Sequence, residues 1–154
     1  MSEVQLNKKK IDEALLNFKK ANYNEAISIL KILEKEQSHF LIYWYLGHSY
    51  FRISDYSSAI GYVEKSIELK KPDKLNLSFL AEIYLQANRY EEAITKFNEV
   101  LKIDNNNINA LFNLGKINIQ IGNIEKAEKI YNKIIEIDSS NLATWYELIK
   151  INKK

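Results

Sequence analysis

The stretch "YEEAITKF" (90–97) decides the fold, because the chain repeats it. Its counterparts are "YNEAISIL" (23–30), "YSSAIGYV" (56–63) and "IEKAEKIY" (124–131). Their alanines, Ala26, Ala59, Ala93 and Ala127, are 33, 34 and 34 residues apart. A second signature precedes each of the last three: "YLGHSY" (45–50), "FLAEIY" (79–84) and "NLGKIN" (113–118). Leu46, Leu80 and Leu114 are 34 apart, and so are Gly47, Ala81 and Gly115. The final fragment "LATWYELIKINKK" restarts the pattern, with Leu148 lying 34 after Leu114.

Within one period the apolar residues fall at helical spacing. Leu77, Leu80, Ala81 and Tyr84 make one stripe, and Tyr90, Ala93, Ile94 and Phe97 a second. Each unit is therefore two amphipathic helices joined by a short break: "ANYN", "SDY", "NRY" or "GNI". Asn88 and Gly122 tolerate the left-handed backbone with which a helix commonly stops. The small residues in both stripes let the two helices approach closely. One such hairpin cannot bury its apolar face, whereas stacked neighbours can, so a fixed period of this length predicts a solenoid.

Composition agrees. One proline and four glycines in 154 residues favour long helices over a turn-rich β fold. Hydrophobic residues at 46% and charged ones at 27% describe a globular chain. A net charge of +2 gives no nucleic-acid footprint, and the lysines at 8–10 and 153–154 read as solvated ends. There is no cysteine, hence no disulfide framework. The opening "MSEVQLNKKK" has no apolar core of a secretory signal, and no stretch has the ~18 apolar residues of a membrane span. The cytoplasm is the expected location.

These motifs resemble the tetratricopeptide repeat family over nearly the whole chain. The family pattern is a large residue at position 4, Leu at 7, small at 8, Tyr at 11, Ala at 20, aromatic at 24 and small at 27. Residues 40–73 supply Tyr43, Leu46, Gly47, Tyr50, Ala59, Val63 and Ser66. Residues 74–107 supply Leu77, Leu80, Ala81, Tyr84, Ala93, Phe97 and Val100. Residues 108–141 supply Leu111, Leu114, Gly115, Asn118, Ala127, Tyr131 and Ile134. Residues 7–39 match less well, since Lys10 and Glu13 stand at positions 4 and 7. The proline expected at position 32 is missing, and Asx and Ser residues in "IDNNN" and "IDSSN" are expected to turn the chain and cap the next helix. The resemblance implies one all-α right-handed superhelix over 1–154: four hairpins (7–39, 40–73, 74–107, 108–141) and a capping helix (142–152), with Trp145 and Leu148 turned onto the fourth repeat.

It also implies where partners bind. In the family, the first helix of each hairpin (A) lines a concave groove and the second (B) forms the back. Positions 4, 7, 8 and 11 point into the stack, so Tyr43, Leu46, Gly47 and Tyr50 go inward. Positions 2, 5, 6, 9 and 12 face the groove. Leu41, Trp44, Tyr45, His48 and Phe51 are then left over, as are Ile11, Leu15 and Phe18 in the first repeat. Leu75, Phe79, Asn109, Phe112, Asn113, Lys116 and Tyr146 continue the face. Half-exposed rings at Trp44, Tyr45, Phe79, Phe112 and Tyr146 would make an apolar strip on the order of 500 Å², enough to signal an interaction site. The expected partner is an apolar or amphipathic segment of another protein; self-association through the strip or the capping helix is the alternative.

Some family members clamp acidic chaperone tails with Lys, Asn and Arg donors on three successive A helices. Here those positions hold Ile11, Leu15, Tyr45, Leu75 and Phe79, or Trp44, His48, Phe79, Asn109 and Asn113, and neither set supplies the charge-assisted bonds. His39 falls in a turn and reads as a solvated or capping residue. Neither histidine has a second ligand at metal spacing. No phosphate-binding or nucleophile motif occurs. Acidic residues such as Glu92 and Glu125 match lysines four residues on, as solvated helix faces do. No enzyme, metal or cofactor is expected.

Overall fold

A computed structural model describes residues 3–153. Met1, Ser2 and Lys154, read above as parts of the chain's ends, lie outside them. Among the described residues there are nine helices and no strand: α1 (Glu3–Lys19), α2 (Tyr23–Glu36), α3 (Phe40–Arg52), α4 (Tyr56–Leu69), α5 (Lys74–Gln86), α6 (Tyr90–Ile103), α7 (Ile108–Gln120), α8 (Ile124–Ile137) and α9 (Leu142–Asn152). Odd-numbered helices are A helices, and even-numbered ones are B helices. The chain divides into two compact units, one ending at Pro72 and the other beginning at Asp73.

In the first unit α1 pairs with α2, α3 with α4, and α2 packs on α3. Ala14, Leu30, Leu33, Ile42 and Leu46 form its core. Gly47 lies so close to α4 that a Cβ there would come 2.5 Å from Val63 Cγ2. Ser66 donates its hydroxyl to the Phe40 carbonyl at 2.9 Å, fixing the end of α4 to the start of α3. In the second unit α5 pairs with α6, α7 packs on α6 and α8, and α9 lies on α8. Leu111, Ala127, Tyr131, Ile134 and Leu148 are buried together. Gly115 sits under the Tyr131 ring, leaving no room for a side chain.

Each hairpin turns by the same device. Ala21, Ser54, Asn88 and Gly122 have φ of 62°, 64°, 58° and 81°. The next residue's N–H reaches back to the helix: Asn22 to Asn17 (2.9 Å), Asp55 to Tyr50 (2.9 Å), Arg89 to Tyr84 (2.8 Å) and Asn123 to Asn118 (2.7 Å). This is the double-bonded C-terminal cap that a left-handed residue permits. The sequence pointed to Asn88 and Gly122; Ala21 and Ser54 do the same job at some cost in strain. Between hairpins, Asx side chains cap the next helix as expected. Asn107 accepts from the Ala110 N–H (3.0 Å) and Asn141 from that of Thr144 (3.1 Å). Asp73 and Asn76 form a reciprocal capping box.

Three expectations are corrected. Positions 3 and 10 of the A helices, not assigned to the core from the sequence, are buried at Ile42, Ser49, Ile83, Ile117 and Thr144. Tyr43 and Tyr50 are only half-buried: their rings stack on Tyr62, at 6.2 and 5.4 Å between centroids, and a phenol gains by keeping its hydroxyl near water or a partner. Trp145 is 44% exposed, its indole N–H donating to the Ser139 carbonyl at 2.9 Å, while Leu148 is buried as expected.

Candidate functional site

In the first unit, α1 and α3 border a cleft at the edge of the core. Ile11 and Leu15 from α1 and Leu41, Ile42 and Tyr45 from α3 line a cleft of about 240 Å³, with Leu30 of α2 among its lining residues. His39 stands at its edge as the N-cap of α3, its Nδ1 accepting from the Leu41 N–H at 3.3 Å. The lining is largely apolar because the cleft opens onto the core of this unit: Leu30 and Ile42 belong to that core, and Ile11 and Tyr45 pack against it.

Beside the cleft the aromatic side chains gather rather than spread. Phe18 meets Tyr45 edge-on at 5.4 Å and His48 at 6.2 Å, and the Trp44 ring lies 4.4 Å from His48. Tyr23 touches Phe18 at 5.6 Å and carries the Arg52 guanidinium over its face at 4.9 Å. Burial among these rings, and secondarily the Arg52 charge, lower the His48 pKa to about 4. The imidazole is therefore neutral at physiological pH. Phe51 contacts Tyr56 at 5.9 Å.

The second unit presents a different face. Phe79 is only 9% exposed, against the expectation of an open ring. A phenyl ring has no polar tip to keep wet, and burying one stabilises by roughly 2–3 kcal/mol. Phe112 is half-buried, its ring 5.7 Å from Tyr131. Asn113 donates to the Asn109 carbonyl and to its side-chain oxygen, at 3.0 and 3.1 Å. Asn109, Lys116 and Leu75 are exposed. Tyr146 is 61% exposed, with the Lys150 ammonium 5.3 Å from its ring centre. Of the five rings expected to form a strip, only Tyr146 is open, so the estimate of 500 Å² is too large.

Of the site residues read from the sequence, Leu41 and Tyr45 line the cleft, and His48 and Trp44 join Tyr45 through the Phe18 ring contacts. Ile42 and Leu30 in its lining were missed; their apolar character gave no means of telling cleft lining from core. Among the described residues no cluster of three His, Cys, Asp or Glu side chains is placed to hold a metal ion. No helix of the described residues is long and apolar enough to cross a membrane.

Comparison with known proteins extends the repeat reading. Two family models match: a TPR repeat at residues 81–122 and a tetratricopeptide repeat at 108–141. No curated protein matches the chain. Among solved structures, a tetratricopeptide repeat protein from Parabacteroides merdae superposes with a TM-score of 0.85 at 19% identity, over 97% of this chain and 61% of that one. MamA from Desulfovibrio magneticus gives 0.84 at 17%, over 95% and 83%. YrrB, described as a TPR protein with an unusual peptide-binding site, gives 0.82 at 18%, over 94% and 75%. With the 34-residue register, the four capped hairpins and these matches in agreement, the chain belongs to the tetratricopeptide repeat family.

Proposed function

We propose that the chain is a protein-interaction scaffold whose first unit takes an apolar segment of a partner protein into the cleft between α1 and α3. The observation that carries this reading is the cleft itself: about 240 Å³, with mostly apolar lining. That is below the ~300–1,000 Å³ of pockets for drug-sized ligands, and suits one or two large side chains of a peptide. The adjoining Trp44, Tyr45 and His48 are of the kind that anchors such contacts. The family supports interaction scaffolds in general, and YrrB shares the fold. Each large side chain buried contributes ~1.5–3 kcal/mol against association costs of ~4–15 kcal/mol, so one or two side chains in the cleft bind weakly by themselves and the affinity depends on further contacts with the adjoining rings.

An acidic chaperone tail is not the proposed guest, because the face lacks paired cationic donors. Selection from a displayed peptide library against the intact protein tests the reading. Peptides carrying large apolar residues should be enriched, and Leu41→Asp should weaken them at least tenfold without loss of helical circular dichroism. Enrichment of acidic C-terminal tails, or binding indifferent to Leu41→Asp and Tyr45→Ala, would overturn it.

A further inference from the structure

Phe18 fastens α1 to the rest of the first unit. Its ring meets Tyr23 of α2 edge-on at 5.6 Å, and Tyr45 and His48 of α3 at 5.4 and 6.2 Å. Ile11, Leu15 and Phe18 are spaced four and three apart, so they share one face of α1. Ile11 and Leu15 wall the cleft from that face, and Tyr45 both lines the cleft and touches Phe18. A shift of Phe18 is therefore felt at the cleft.

His48 forms one side of the Phe18 seat. Its ring centre lies 4.4 Å from that of Trp44, one turn earlier, and its Nε2 is closed off from water. The groups gathered there come from each neighbouring helix. α1 presents Phe18, and the adjoining Lys19 is exposed. α2 presents Tyr23, whose ring holds the Arg52 guanidinium 4.9 Å from its centre. α3 adds Trp44, Tyr45 and, one turn on, Arg52 itself. α4 packs on α3 through Val63 and Ser66. The charge that acts on His48 is that of Arg52.

A second ring proton would put a cation near Arg52 and behind rings that keep water out. The closed seat carries that cost; once it opens, the imidazolium reaches water and the cost is gone. Burial first, and the Arg52 charge second, lower the His48 pKa in the folded unit to about 4 from 6.5. Between these values an opened seat binds a proton that the closed seat refuses. Acid therefore favours opening, and above the upper value the seat keeps its full strength. Resting on the proposal that the cleft holds a guest, we infer that adding a proton to His48 unseats Phe18, loosens α1 from α3 and releases the guest.

Two measurements on the full chain test this. Amide hydrogen exchange without a guest, corrected for intrinsic rates, follows α1 at pH 7 and pH 4.5. Full exposure of His48 on opening would multiply the opening equilibrium by about 80 at the lower pH, so protection of α1 should fall at least tenfold while that of α8 holds. Calorimetry then follows an end-blocked peptide without titratable side chains, taken from the selection at pH 7; its affinity should fall at least threefold at pH 4.5. In His48→Gln and His48→Asn, whose amides do not titrate, both ratios between the two pH values should stay near one, whatever the affinity at pH 7. Melting curves at pH 7 show which variant is folded. Equal losses in wild type and a folded variant, or α1 protection that does not change with pH, would overturn the inference. So would an affinity that holds at pH 4.5 while α1 loosens. If no peptide is enriched at pH 7, the guest proposal fails by itself, and the α1 exchange decides the role of His48.

Discussion

Tyr45 and Phe79 hold the same position of the repeat, one in each unit, and end in different surroundings. Tyr45 stands half-buried at the edge of a cleft, touching Phe18. Phe79 is buried. The units share B helices of 14 residues, turn geometry and small-residue contacts, yet one keeps rings around an apolar cleft and the other shows an asparagine pair and a lysine. Position in the repeat sets the direction of the Cα–Cβ bond. The identity of the side chain, and what stands beside it, decides whether water is excluded.

Truncation of these two rings tests that contrast most strongly. Phe79→Ala should destabilise by about 3–4 kcal/mol in denaturant titration, as loss of a buried ring does. Tyr45→Ala should cost about 1–2 kcal/mol and act chiefly on partner capture. Equal costs would erase the distinction between the units.

Acid should act through the first unit by a smaller amount. Folded His48 stays neutral down to about pH 4, while its ordinary value is 6.5. Between these values the unfolded chain binds the additional proton, so stability falls as pH drops through this window and is fully present above it. The loss should be about 2 kcal/mol, reduced from the full linkage value because water still reaches part of the ring. Melting curves of wild type and His48→Gln at pH 7 and pH 4.5 measure it. The variant should have the shallower pH dependence.

The turns give the smallest effect. Ser54→Gly should stabilise by about 0.5–1 kcal/mol by removing strain from a left-handed residue, whereas Gly122→Ala should destabilise by about 1 kcal/mol. Changes in melting temperature of a few degrees, opposite in sign, are expected.

The periodicity of Ala26, Ala59, Ala93 and Ala127 was enough to place all four hairpins, because each alanine lies where two helices touch. The capping helix was legible from Leu148 for the same reason. Positions 3 and 10 were not: Ile42 and Ser49 share no chemistry, and their burial comes from the helix packed against them rather than from a residue type. The site was legible in part. Leu41 and Tyr45 could be named as leftovers of one amphipathic helix. That the aromatic side chains collect around His48, and that Phe79 is closed off, depends on side-chain packing between helices, which a one-helix projection does not contain.

The α1–α3 cleft has a consequence for the order of the first helix. α1 packs chiefly on α2, and its tie to α3 runs through side chains such as Phe18. A guest lodged against Ile11, Leu15, Leu41 and Tyr45 would add a second fastening between α1 and α3. Filling of the cleft and the winding of α1 then become a single equilibrium, and anything that frays α1 also releases the guest.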